Sequence, residues 1–172
     1  MVIVDKITKY AHFCSLSHPF KVNKIYNAFI ETIRKLHGNT TIIVSGRDPI
    51  FTGNFWTKLF SCLGTQLAHS SSYHPQSDGK TEIVNKCLEG YLRCVVSDKQ
   101  TQWVKWLLLA EWWYNTSFHT TTKMTPFMAL YGYQPPSITS YLRENSKVQA
   151  VEHHIEHQQQ VLQLLKDNLV LA

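Results

Sequence analysis

A polar segment near the middle of the chain holds the residues best suited to chemistry. It runs from His74 to Lys86, reads HPQSDGKTEIVNK, and passes from a loop into a helix whose first turn carries Glu82. The polar residues that follow share one helical face: Asn85, Lys86, Glu89 and Arg93. Glu82 can take part in chemistry there, or it can stabilise the helix N-terminus and pair with Lys86 four residues on. By spacing alone the second interpretation is favoured, because charged helix faces are common.

Three histidines near the C-terminus form a second candidate cluster. His153, His154 and His157 include an H-x-x-x-H step, but no cysteine pair follows them as it does in common zinc modules. We interpret these histidines as polar positions of a helix.

Hydrophobic periodicity predicts the elements that position these residues. Apolar residues form strand-like runs or recur at helical steps, and Gly38 ends the first helix. The predicted order is strand 2–4, strand 9–13, helix 22–36, strand 41–44, helix 55–63, strand 67–73, loop 70–79, helix 81–96, helix 102–114 and a short helix from Thr125-Pro126 to Tyr131. The run 41–44 is continuously apolar, the pattern of a buried strand. This order predicts an α/β domain whose helices cover a central sheet.

Gln134-Pro135-Pro136 predicts a boundary between a domain at 1–136 and an appendage at 137–172. The appendage is a linker followed by an amphipathic helix with an apolar stripe at steps of three and four. The stripe, with Gln158 as its polar insertion, comprises Val148, Val151, Ile155, Leu162, Leu165 and Leu169. Two interpretations stay open: the helix packs on its own domain, or it joins copies of the chain in a homo-oligomer.

Composition limits the class of protein. Apolar residues make up 44% and charged residues 17% of the 172 residues, which is typical of globular chains rather than disordered ones. No apolar run approaches membrane-spanning length, and the four cysteines form no C-x-x-C pair. We therefore predict an intracellular protein with buried free thiols and no membrane partner. A formal charge of +5 weakly favours an anionic partner such as nucleic acid.

The polar segment resembles the signature H-P-Q-[ST]-D-G-x-T-E-x-x-N of integrase catalytic cores from gypsy-class long-terminal-repeat retrotransposons, which are retroviral-type integrases cut from a polyprotein. Further segments resemble other motifs of that family in the same order, over 1–136. They are Val4–Phe13 for V-D-R-x-[ST]-K-x-x-H-F, Lys35–Gly38 for the end of the first helix, Val44–Phe51 for V-S-D-R-D-x-x-F, and Asn115–Ser117, Thr125–Phe127 and Leu130–Gly132 for the closing helices.

The resemblance implies an RNase H-like fold, with a mixed sheet flanked by helices. It also implies polynucleotidyl transfer on DNA with two divalent cations, Mg²⁺ or Mn²⁺. In such a site carboxylates hold the cations, which stabilise the attacking and leaving oxygens of an in-line displacement.

The chain departs from the three carboxylates of that family. The family has Asp, Asp and Glu, with 35 residues between the last two; Glu82 matches the third, and counting back across 35 residues reaches Gly46. Asp48 lies in the same turn but matches an accompanying acid, so it is a weak substitute. The first Asp lies, in the family, on a strand preceding Val2–Val4, while Asp5 matches a non-catalytic acid. We therefore expect a core that lacks its first strand and binds Mg²⁺ or Mn²⁺ poorly.

The resemblance also implies DNA contacts. Lys86 matches a position that reaches the donor DNA end in that family. Gln76, Ser77 and Asp78 lie in the flexible loop beside the site. Lys80 and Arg47 are phosphate contacts by charge alone.

These features predict an integrase core-like protein that binds nucleic acid in the nucleus and has lost catalysis of DNA integration. The alternative is a host-retained, non-catalytic DNA- or protein-interaction module derived from an integrase. A third interpretation keeps an enzyme, in which Asp5, Asp48 and Glu82 form an improvised metal site.

Overall fold

The computed structural model describes residues 1–69, 75–96, 100–136, 148–153, 155–156 and 159–160. Contacts divide the chain into two units, Met1–Lys86 and Cys87–Ala172. This division falls inside one long helix. The predicted boundary after Pro136 adjoins residues outside the described ranges, so it stays a prediction.

The first unit begins with an antiparallel hairpin formed by β1 (Val2–Val4) and β2 (Ala11–Phe13). Ile3 lies opposite His12 in the register. All three residues of β2 are buried, whereas those of β1 are half-buried. The two predicted strands are therefore present, the second shortened to the part of its run that is buried.

A long helical segment follows the hairpin. It consists of α1 (Val22–Phe29), a π-helical turn (Ile30–Arg34) and α2 (Lys35–His37). Gly38 ends it with a φ of 77°, a region that glycine adopts without the steric cost of a Cβ atom. The helix predicted at 22–36 with its glycine stop is confirmed.

A parallel strand pair completes the first unit. β3 (Ile42–Ser45) runs alongside β4 (Gln66–His69), and α3 (Pro49–Thr52) and α4 (Asn54–Cys62) connect them. A parallel pair needs such a crossover, because the chain must return to the same end before the second strand starts.

The described residues hold two separate two-stranded sheets, β1–β2 and β3–β4, where the sequence predicted one mixed sheet. Both sheets nevertheless pack on one hydrophobic cluster. Ile3, Ile43 and Leu67 contact it from β1, β3 and β4, and its buried members are Ile25, Phe29, Ile33, Trp56 and Phe60. Shared burial of apolar surface, rather than strand pairing, therefore holds the two sheets to the same helices.

The prediction that β3 is fully buried is wrong. Ile43 packs on the core, but Ile42 is 56% exposed and Val44 is 48% exposed. Successive side chains of a strand point to opposite faces, and only one face of β3 meets the helices. A continuous apolar run does not reveal whether the second face is covered.

The described residues after β4 are mostly helical. α5 (Pro75–Val96) spans the division between the units, and a 3₁₀ helix (Gln100–Trp106) leads into α6 (Leu107–Thr116) and α7 (Pro126–Tyr131). The helices predicted at 81–96 and 102–114 are confirmed, but the loop predicted through 79 is wrong from Pro75 onward. Proline is tolerated in the first turn of a helix, where its missing N–H is not needed.

α7 shows both of its predicted end signals. The Thr125 hydroxyl accepts a hydrogen bond from the backbone N–H of Met128 at 3.1 Å, and Pro126 occupies the first turn. Gly132 then adopts a left-handed conformation, with φ 79°. These are the usual N- and C-terminal caps of a short helix.

The second unit has its own buried aromatic residues. Tyr91 of α5 is fully buried, and its ring centroid lies 5.2 Å from that of Trp113 in α6. Among the described residues, the Tyr91 hydroxyl finds no hydrogen-bond partner. Burial raises the pKa of this phenol well above its ordinary value of 10, so it stays neutral.

The C-terminal segment is helical at 149–153, 155–156 and 159–160, in agreement with the predicted helix. Val148 and Val151 of its stripe are exposed, and the stripe beyond Ile155 lies outside the described residues. The homo-oligomer stays a prediction.

Two expectations drawn from composition can be compared with the structure. The cysteines are free thiols as predicted, but Cys62 and Cys87 are exposed rather than buried. Among the described helices, none is long and apolar enough to cross a membrane.

Candidate functional site

The candidate site lies where β3 ends. Ser45 is the last residue of the strand, and Gly46, Arg47 and Asp48 follow it before α3 begins. The carboxyl ends of parallel strands are where α/β folds commonly bind ligands. Gly46 has no side chain, so this position supplies no carboxylate to a cation.

Asp48 caps α3. Its Oδ1 atom accepts a hydrogen bond from the backbone N–H of Ile50 at 2.9 Å, and its carbonyl accepts from Phe51 at 2.9 Å and Thr52 at 3.2 Å. An aspartate in this position satisfies backbone donors that a helix start otherwise leaves unpaired. The local structure therefore explains an acid at 48 without a cation.

We expect Asp48→Ala to lower the free energy of unfolding by about 1 kcal/mol and Asp48→Asn to change it much less, because the Asn amide oxygen preserves the cap. Urea denaturation of the two variants measures the difference. Equal losses in both would mean that the carboxylate charge, and not the cap, matters at this position.

His69 is a neighbour of the site that the sequence reasoning missed. It pairs in register with Ser45 across β3 and β4, and its Nδ1 atom lies 3.4 Å from the Ser45 hydroxyl oxygen. Only the parallel register brings these residues together, because 23 residues separate them along the chain. Both groups can donate or accept a hydrogen bond beside the Gly46 position.

Glu82 lies on the exposed face of α5 and pairs with Lys86. One carboxylate oxygen is 3.0 Å from Nζ of the lysine, and the two side chains are 66% and 72% exposed. Glu89 and Arg93 form a second such pair at 2.6 Å. The pairing predicted from spacing alone is confirmed, and exposed pairs of this kind contribute roughly 0.3–0.5 kcal/mol.

Asp5 closes the turn of the β1–β2 hairpin. Its Oδ2 atom accepts hydrogen bonds from the backbone N–H of Ile7 at 3.0 Å and from the backbone and hydroxyl of Thr8 at 2.7 and 2.8 Å. Partial burial alone would raise the pKa of Asp5, but these bonds and the charge of Lys9 outweigh it and hold the pKa below 3.8. The carboxylate stabilises the turn.

Three solved structures share the architecture of this chain. A chain of the simian T-cell lymphotropic virus intasome in complex with PP2A regulatory subunit B56 gamma aligns with a TM-score of 0.66 and 17% identity, over 86% of this chain and 53% of that one. The HTLV-2 integrase catalytic core domain in complex with magnesium aligns with a TM-score of 0.61 and 15% identity, over 74% of this chain and 81% of that one. The catalytic core domain of BIV integrase aligns with a TM-score of 0.59 and 17% identity, over 92% of this chain and 87% of that one. This chain has an integrase-core fold.

The relatives of this chain by sequence are retrotransposon polyproteins. The Tf2-3 and Tf2-4 transposon polyproteins of Schizosaccharomyces pombe (strain 972 / ATCC 24843) are each 30% identical to the chain over 166 residues, or 90% of its length. The chain spans 12% of the length of these relatives. No protein-family model matches it. The expected α/β, RNase H-like class is confirmed, and the homologues are retrotransposon polyproteins.

The residues of this chain do not fit a pair of divalent cations. Within the part of the chain that the structure describes, no three His, Cys, Asp or Glu side chains come together as metal ligands. Asp5 closes a turn, Asp48 caps a helix and Glu82 pairs with a lysine. The improvised site of these three carboxylates is therefore not formed.

The structure places the predicted DNA-binding residues on two elements. Arg47 is exposed beside Gly46, and Lys86 is exposed on α5. The other four lie in the first turns of α5: Gln76, Ser77, Asp78 and Lys80. The assignment of Gln76, Ser77 and Asp78 to a flexible loop is therefore wrong. The side chains of these four are outside the description, and their DNA contacts stay predictions.

Proposed function

We propose that this chain derives from the integrase of a gypsy-class retrotransposon, binds DNA, and no longer catalyses strand transfer. The observation that carries the proposal is Gly46 at the carboxyl end of β3 in an integrase-core fold. Two-metal phosphoryl transfer needs a carboxylate at such a position, and glycine has no side chain to supply one. The gypsy assignment rests on the segment His74–Lys86, whose residues match that class of integrases at the signature positions.

The distribution of charge supports DNA binding by the first unit. Residues 1–86 contain ten Lys and Arg against five Asp and Glu, whereas residues 87–172 contain seven of each. The whole positive excess of the chain therefore lies in the unit that carries Gly46, Arg47 and Lys86. A basic surface attracts the phosphate backbone without reading base sequence. The proposed DNA binding is independent of base sequence and takes place in the nucleus.

Fluorescence anisotropy of a labelled duplex, measured across a range of salt concentrations, tests the proposal. The logarithm of the binding constant should fall linearly with the logarithm of the salt concentration, because bound lysines and arginines release counterions. Arg47→Ala and Lys86→Ala should each make the slope shallower by about one.

Lys105→Ala is the matched control, since this exposed lysine belongs to the unit without excess charge. It should leave the slope unchanged. Absence of binding at low salt, or binding that does not respond to salt, would show that the chain does not use its basic unit to hold DNA.

A further inference from the structure

The turn of the β1–β2 hairpin presents an apolar side chain to solvent. Ile7 is 83% exposed, and the turn uses only its backbone N–H, which donates to Oδ2 of Asp5 at 3.0 Å. A branched apolar residue is unusual in a turn, where Gly, Pro, Asn, Asp and Ser dominate. Neither the turn geometry nor burial therefore accounts for the isoleucine side chain.

The turn that carries Ile7 is held rigidly. The backbone N–H of Asp5 donates to the Tyr10 carbonyl at 2.8 Å, and that of Lys9 donates to the Asp5 carbonyl at 3.1 Å. The Asp5 carboxylate also accepts hydrogen bonds from the backbone and hydroxyl of Thr8. A turn fixed in this way loses little conformational freedom when it binds a partner, so it presents Ile7 in a preorganised position.

Positive charge flanks Ile7. Lys6 is exposed, and the Lys9 ammonium group donates to the Lys6 carbonyl, which holds its charge over the turn. Lys9 has a φ of 65°, a left-handed conformation that is uncommon for a residue with a Cβ atom. A lysine kept in such a position indicates a use for its side chain. Together the two lysines outweigh the negative charge of Asp5.

The end of the long helical segment adds to this basic region. His37 ends α2 and is bonded to His12 of β2, their Nε2 atoms 2.9 Å apart, so the hairpin and the helix end are joined. Burial and the charge of His12 lower the pKa of His37, and the Asp5 carboxylate of the turn acts in the opposite direction. Arg34 is exposed and lies on the helical face of His37, three residues before it. We call the following residues the hairpin-tip surface: Lys6, Ile7, Lys9 and Arg34.

The hairpin-tip surface differs in place from the candidate site. Only residues 38–41 connect His37 to the first residue of β3, whereas Gly46 and Arg47 follow the last residue of that strand. The chemistry at the end of β3 therefore does not account for the exposed isoleucine and its basic neighbours.

An exposed apolar side chain among basic ones is the combination with which proteins insert a wedge into the minor groove of DNA. The wedge separates two stacked base pairs and kinks the duplex, while lysine and arginine hold the phosphates on either side. We propose that the hairpin-tip surface binds duplex DNA from the minor groove and inserts Ile7 between two base pairs. This inference rests on the proposed DNA binding and names the groove and the manner of contact.

Fluorescence energy transfer between dyes at the two ends of a short duplex measures the bend. We expect the full chain to bend the duplex by about 20–90°. Ile7→Ala should abolish most of the bend and leave the salt dependence of binding unchanged, because it removes the wedge but no charge. Lys6→Ala should instead make the salt slope shallower by about one.

Leu108→Ala is the matched control, since Leu108 is 81% exposed on α6 and carries an apolar side chain of the same size. It should leave the bend intact. Circular dichroism should show every variant folded, because alanine at position 7 keeps the backbone N–H that donates to Asp5. A duplex that is bound but not bent, or that Ile7→Ala bends equally, would overturn the wedge and leave the proposed function standing. Absence of binding at low salt would overturn both.

Discussion

The folded chain is expected to give no strand-transfer product when incubated with Mn²⁺ and short duplexes that carry retrotransposon-type ends. Cations held by carboxylates supply the charge stabilisation of in-line displacement, and this stabilisation is usually the largest contribution to such catalysis. Under the proposed function, Gly46 occupies the position of one carboxylate ligand, and Glu82 is paired with Lys86 on an exposed helix face. Gel analysis of end-labelled duplexes measures the product.

A retroviral integrase known to be active on the same duplexes serves as the positive control. Gly46→Asp is the informative variant, since it places a carboxylate at the second position of the family pattern. We expect G46D to bind Mn²⁺ more tightly than the parent chain but to remain inactive, because the first aspartate has no counterpart among Asp5 and Asp48. Product from the parent chain that disappears in Glu82→Ala would refute the proposed loss of catalysis.

Phe60→Ala is expected to lower the free energy of unfolding of the first unit by about 3–5 kcal/mol. Phe60 is 1% exposed, and its ring centroid lies 4.6 Å from that of Trp56 and 5.2 Å from that of Phe29. Its removal leaves a cavity among aromatic rings that cannot easily close. Because small domains have a net stability of about 5–15 kcal/mol, a loss of this size approaches complete unfolding.

The matched control is Phe55→Ala, in the same helix. Phe55 is 57% exposed, so its truncation should change the free energy of unfolding by no more than about 0.5 kcal/mol. Urea denaturation followed by circular dichroism measures both variants. Similar losses for Phe55 and Phe60 would mean that α4 does not bury the face that the structure assigns to it.

Local patterns in the sequence were sufficient to predict most helices. The apolar spacing at 22–36 with Gly38 behind it, and Thr125-Pro126 ahead of α7, each predicted an element that the structure contains. These signals work because capping and helical periodicity act between residues only a few positions apart. The same locality explains why the exposed Glu82–Lys86 pair could be predicted from a spacing of four.

Family motifs in the sequence predicted the fold class, which the solved structures confirm. The same motifs place Gly46 at the second carboxylate position, and this assignment stays a prediction. The motifs could not predict which side chains and backbone groups bond to one another in the folded chain. The sequence predicted that Asp48 is only a weak substitute ligand, but it did not predict the helix cap that its hydrogen bond to Ile50 forms.

Only the tertiary structure determined which distant residues meet. It split the expected sheet into two pairs, left Ile42 and Val44 exposed, and brought His12 against His37. Such contacts depend on how helices and strands bury their faces against a shared core, and that choice is made between segments far apart in the chain. The sequence alone therefore determined most of the helices, whereas the fold decided the exposure of the strands and the pairing of distant side chains.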